Sequence, residues 1–152
     1  MNLKRDKLTL YSLILGFLGF LDATYLTILH YKNVIPPCTV TSGCEVVLTS
    51  KYSVVAGIPV SFLGTLFYVT VMAICILILT NYKEVFVKAY YGLVGIGFAV
   101  SLVLIYIQGA FLHAFCQYCL LSEIVSFGLV LMAIIKFRQD KNLSAPQEDK
   151  RG

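Results

Sequence analysis

The stretch "CQYCLLSEIVSFGLVLMAIIKF" occupies Cys116–Phe137. It opens with two cysteines two residues apart and carries no charged residue between Glu123 and Lys136. As a helix its 22 residues would rise about 33 Å, against about 30 Å for the hydrocarbon core of a bilayer. Three more apolar runs of similar length lie upstream, at Leu8–Leu29, Pro59–Leu79 and Tyr90–Leu112. None alternates as a strand would. Backbone groups in lipid must be satisfied within the segment, so the runs read as helices.

Composition agrees. Of the 152 residues 59% are hydrophobic and 13% charged, about half the share of roughly 25% found in soluble domains. Mean hydropathy is +0.84. The expected fold is therefore an all-α integral membrane protein, a bundle of four transmembrane helices. The membrane domain is expected over residues 1–137, with helices at about 8–29, 59–79, 90–112 and 116–137. An outer loop covers about 30–58, and a charged tail at 138–152 is expected to be disordered. Lys4, Arg5 and Lys7 imitate the start of a signal peptide. The apolar run behind them is too long and lacks a convincing cleavage site, so a retained helix is expected.

The net charge of +4 has a direction. Lys4, Arg5, Lys7, Lys83, Lys88, Lys136, Arg138, Lys141, Lys150 and Arg151 fall at one end of such a bundle. Only Lys32 and Lys51 fall at the other. The positive-inside rule puts both termini in the cytoplasm, in a cell or plasma membrane. The charge is thus spent on orientation, and lipid rather than nucleic acid is the expected neighbour.

That orientation gathers Cys38, Cys44, Cys116 and Cys119 at the extracytoplasmic face, where disulfides persist. Cys75 lies within the second helix and reads as a packing residue. A Cys-x-x-Cys closes too small a loop to be a good staple. Five residues between Cys38 and Cys44 exceed the usual spacing of paired zinc ligands, and an oxidising face disfavours zinc thiolates, so no metal is expected. Thiol–disulfide exchange remains. The positive end of a helix stabilises a thiolate at Cys116 or Cys119. Residues 116, 119 and 123 share one helical face, expected to look into the bundle. A thiol there can meet a lipid-soluble oxidant, and quinones are the obvious class. The competing reading is a non-catalytic bundle whose outer loop is stapled by a disulfide.

Four segments in order carry a resemblance: "LDATYLTILHY" at 21–31, "CTVTSGCEVVLTSKYS" at 38–53, "AGIPVSFLGTLFY" at 56–68 and "FCQYC" at 115–119. Over about residues 8–135 the chain resembles the vitamin K epoxide reductase family, in its bacterial and archaeal disulfide-generating branch. The resemblance implies an electron relay. Cys38 would exchange with a thioredoxin-like partner, and Cys44 would attack Cys116. Cys119 would be the thiolate nearest the quinone, whether ubiquinone or menaquinone. Ser50 would match a supporting hydroxyl. Some relatives carry the thioredoxin-like domain fused. Here the sequence ends at Gly152, so a separate extracytoplasmic protein is expected. Val60 and Glu123 stand where vertebrate members carry an asparagine and a tyrosine, and both are expected at the quinone site. Plain quinone reduction fits these two better than an epoxide cycle.

Other residues have a bland reading beside the sharp one. Glu123 would relay a proton, or simply hydrogen-bond to a loop at the outer boundary. Asp22 would anchor a polar network under the site, or join two helices. His30 and His113 read as interface residues. Gly16, Gly19, Gly92, Gly95 and Gly97 read as close helix contacts. Residues Cys44–Lys51 are expected to form a short helix on the membrane surface that caps a pocket, and "IPPCTVTSG" a turn-rich lead into it.

Overall fold

The computed structural model describes residues 3–40 and 43–144. It contains α1 (Leu3–Tyr31), α2 (Cys44–Thr49), a 3-10 turn (Lys51–Ser53), β1 (Val54–Val55), β2 (Ile58–Pro59), α3 (Val60–Thr80), α4 (Glu84–Tyr106), a π-helical turn (Ile107–Leu112) and α5 (Gln117–Ser144). Four helices are long and apolar enough to cross a membrane: Asp6–Tyr31, Val60–Thr80, Glu84–Leu112 and Gln117–Lys141. Their outer faces carry large apolar side chains, with Ile96 66% and Ile124 67% exposed. Such faces suit lipid, not water.

Inside, α1 packs against α3 and α5, and α4 against α5 and α3. The core is centred on Val71, Cys75, Tyr90 and Leu129, all essentially without exposure. Cys75 is indeed a packing residue there. Gly19 lets α1 approach α3, because a Cβ at that position would run into the ring of Tyr68. Gly97 likewise accommodates Phe67. Gly92 and Gly95 differ from expectation. A Cβ at either would meet nothing within 4 Å, so these two open a notch rather than close a contact.

The helices outrun the apolar runs at their polar ends. α4 begins at Glu84, six residues before Tyr90, and its first turn pairs Glu84 with Lys88 at 3.5 Å. α5 continues through the stretch expected to be a disordered tail and ends at Ser144. No glycine or proline interrupts it after Gly128, and the Tyr91 hydroxyl donates to Asp140 Oδ2 at 3.2 Å. The remaining tail lies outside the described residues. Lys136, counted among the cations of the cytoplasmic end, is not a surface charge. It is buried between α5 and α1 and donates to Thr9 Oγ1 at 2.6 Å, with the Tyr90 ring 5.7 Å away.

The outer connection contains the expected short helix, α2, and one feature not anticipated. β1 and β2 form a two-stranded antiparallel ladder with Val54 opposite Pro59. Its turn, Ala56–Gly57, has both φ angles positive, at 51° and 81°. That is the twist a two-residue hairpin requires, and glycine takes it at no steric cost. The ladder leads directly into α3 and fixes where the outer connection re-enters the bundle.

Candidate functional site

The site is built where the outer connection meets the start of α5. Cys38 and Cys44 are joined by a disulfide with their Cα atoms 6.0 Å apart. Cys116 and Cys119 are thiols. Gly43 precedes α2, and a Cβ on it would sit 2.7 Å from both the backbone N and O of Phe115. Only glycine lets the loop lie this close to the 114–116 turn. The approach packs Cys44 and Cys116 into one buried cluster with Val47, with Cys38 and Cys119 at its edge. Cys44 is 1% exposed and Cys116 not at all.

Cys116 lies one residue ahead of α5 rather than within it. Its carbonyl accepts the N–H of Leu120 at 2.9 Å, and its sulfur accepts the N–H of Cys119 at 3.4 Å. The sulfur thus occupies the place of an N-cap side chain, taking one of the N–H groups a helix start leaves unpaired. The Cys116 thiol is lowered from its ordinary value of 9.0 to about 7. The largest cause is the hydrogen bond from the Cys119 side chain. Backbone N–H groups of Cys119 and Tyr118 add to it, and burial opposes them. Cys116 is therefore the thiol of this pair poised to ionise.

Two glutamines hold this turn. Gln108, buried in the π-helical turn, accepts the N–H of Cys116 on Oε1 at 3.1 Å and that of Ala114 on its carbonyl at 3.2 Å. The chain then reverses through His113 in the left-handed region, φ 49°. Gln117 reaches the other way. Its Oε1 accepts the N–H groups of Thr39 at 3.1 Å and Val40 at 2.9 Å, and its Nε2 donates to the Pro37 carbonyl at 3.5 Å. The Tyr118 hydroxyl donates to the same carbonyl at 3.3 Å. Both spacer residues of Cys116-x-x-Cys119 thus grip the backbone around Cys38.

Beneath α2 lies a cavity of about 1000 Å³, enclosed by α1, α3, α4 and α5 and roofed by residues 47–55. Cys119, Glu123, Val60 and Ser50 all line it, and Cys38, Cys44 and Cys116 do not. Ser50 spends its hydroxyl on its own turn, donating to the Val47 carbonyl at 2.8 Å, so it shapes the roof. His30 also lines the cavity, whereas His113 sits exposed on the turn. Glu123 is 5% exposed and is hydrogen-bonded to the Ser101 side chain, while its Oε2 has no hydrogen-bond partner among the described residues. The same is true of Oδ2 of Asp22, 8% exposed. A buried carboxylate oxygen without a partner is costly and calls for a ligand or a proton. Among the described residues no three His, Cys, Asp or Glu side chains come together to hold a metal ion.

The sequence model of the vitamin K epoxide reductase family matches residues 10–134. The chain belongs to the vitamin K epoxide reductase family. The match contains the second and third spans, most of the first and fourth, and both cysteine pairs, and family membership makes the chain a multi-pass membrane thiol–disulfide oxidoreductase. Sequence reasoning did not reach Gln108 or Gln117. An uncharged amide within an apolar run is a signal for Gln108. Nothing local marks Gln117, whose partners lie 77 to 80 residues away.

Proposed function

We propose that the chain belongs to the disulfide-generating branch of its family and passes electrons from a separate thioredoxin-like protein to a membrane quinone. The dithiol of that protein reduces the Cys38–Cys44 disulfide and leaves as a disulfide. Cys44 as thiolate then attacks the Cys116–Cys119 disulfide at Cys116, forming a Cys44–Cys116 bond and releasing Cys119. Cys38 resolves that bond, which restores Cys38–Cys44 and leaves Cys116 and Cys119 reduced. The quinone accepts the two electrons and two protons of that pair, and the Cys116–Cys119 disulfide re-forms.

The observation that carries this reading is a division of labour. Cys119 alone of the four cysteines lines the cavity, while Cys44 packs with Cys116 above it. The cavity has the size of a small-molecule site, is mainly apolar, and offers a few converging polar groups. A quinone head group fits those features, with Val60 and Glu123 on the wall. The unpartnered oxygen of Glu123 suits a group that donates to or takes a proton from a bound oxygen. The lysine and arginine distribution supports cytoplasmic termini and an extracytoplasmic site. There the chain would support disulfide formation in exported proteins.

The test is quinone reduction by purified protein in detergent, driven by a reduced thioredoxin-like donor or a small dithiol. Cys119→Ser is expected to abolish turnover with both donors. Cys38→Ser is expected to abolish turnover with the protein donor and to spare it with the small dithiol. Equal turnover in all three proteins would overturn the relay and leave the cysteines structural.

A further inference from the structure

A second concavity lies at the opposite end of the bundle from the cysteines, between α4 and α5, with a volume of about 540 Å³. It is a slot open to the lipid side. Gly95 forms its floor, where a side chain would meet nothing within 4 Å. Phe98 closes the deep end, toward the middle of the membrane. Tyr91 and Phe137 stand at the shallow end as an edge-to-face pair, ring centroids 5.7 Å apart. Phe98 lies seven positions after Tyr91 on α4, so the slot runs about 10 Å along the helix. Arg138 and Lys141 complete its lining where α5 leaves the apolar layer, and both are exposed. Asp140 accepts the Tyr91 hydroxyl, which holds the aromatic wall in place.

An apolar slot that ends at two cations matches one kind of molecule, with an apolar chain at one end and an anion at the other. We propose that this slot is a binding site for an anionic phospholipid of the leaflet opposite the cysteines, with an acyl chain beside Gly95 and the phosphate on Arg138 and Lys141. Basic pockets between transmembrane helices at the positively charged side recognise such head groups. Charge also argues against a second copy of the chain as the occupant. In a symmetric pair a twin seated on the slot would set its own Arg138 and Lys141 against these two, positive charge to positive charge. The site is independent of the redox relay and needs no turnover to be seen.

The experiment is native mass spectrometry of the full chain in detergent micelles containing phosphatidylglycerol or phosphatidylcholine, with light scattering for oligomeric state. One phosphatidylglycerol should be retained per chain at concentrations where phosphatidylcholine is lost. Arg138→Ala with Lys141→Ala, both at exposed positions, should weaken retention by about tenfold or more. Gly95→Leu should fill the slot and remove retention while the free-thiol count stays that of wild type. Equal retention of the two lipids overturns the proposal. So does phosphatidylglycerol retention unchanged in the double variant, or a dimer whose formation Gly95→Leu abolishes.

Discussion

Gln117 accepts the backbone N–H of Val40 on its side-chain oxygen at 2.9 Å, across 77 residues of sequence. A residue inside the Cys116–Cys119 spacer therefore sets how far the Cys38 loop can stray. Replacing Gln117 with Leu removes this bond and those to Thr39 and Pro37, each worth about 0.5–1.5 kcal/mol net. The Cys38–Cys44 disulfide should then be reduced about tenfold faster by a small thiol, read by thiol labelling after timed quenching. A rate equal to wild type would show that the tie does not restrain the loop.

Cys116 should react as a thiolate well below the range of an ordinary cysteine. Its value is lowered, so the thiolate is present above about pH 7 and is lost as pH falls through that value. The ultraviolet absorbance of the Cys116 thiolate in the reduced protein, taken as the difference from Cys116→Ser, should titrate with a midpoint near pH 7. Because the Cys119 side chain is the largest cause, Cys119→Ala should move that midpoint upward. A profile that stays in place would assign the shift to the backbone N–H groups instead.

Gly43→Ala should separate the two cysteine pairs. Its Cβ would meet the Phe115 backbone, which cannot swing aside as a side chain tip does. Overpacking of this kind costs about 1–3 kcal/mol. The expected result is slower exchange between Cys44 and Cys116, measured in a Cys38→Ser background with the Cys116–Cys119 pair oxidised, by alkylating the Cys119 thiol as the Cys44–Cys116 bond forms and releases it. Release at the rate seen with Gly43 in place would show that the loop has room to spare.

Gln108→Leu should strike the same turn from below. The substitution leaves the buried N–H of Cys116 without its partner, a cost of about 1–3 kcal/mol. Thermal unfolding in detergent should begin earlier, and Cys116 should become more open to alkylation at pH 8. Unchanged protection would mean that water or the neighbouring carbonyls replace the glutamine.

The four spans and both cysteine pairs were legible because they rest on local signals. Apolar length marks a helix in lipid, and a two-residue spacing marks a reactive pair. The helix ends were less legible, since Glu84–Lys88 and Arg138–Ser144 are polar yet still form good helix. An apolar-run reading stops where hydropathy falls, not where hydrogen bonding does. Gly92 and Gly95 were misread because small residues mark both a tight contact and an empty notch. The grip of Gln117 on the Cys38 loop was out of reach, because it depends on how two distant segments meet.

Cys116 touches neither water nor lipid. Of the outer pair Cys38 is partly exposed and Cys44 buried, and Cys119 lines the apolar cavity. The sulfur between them is insulated from both. An oxidant that meets Cys38 at one end or Cys119 at the other does not meet Cys116 directly, so electrons cross the junction only by exchange between sulfurs.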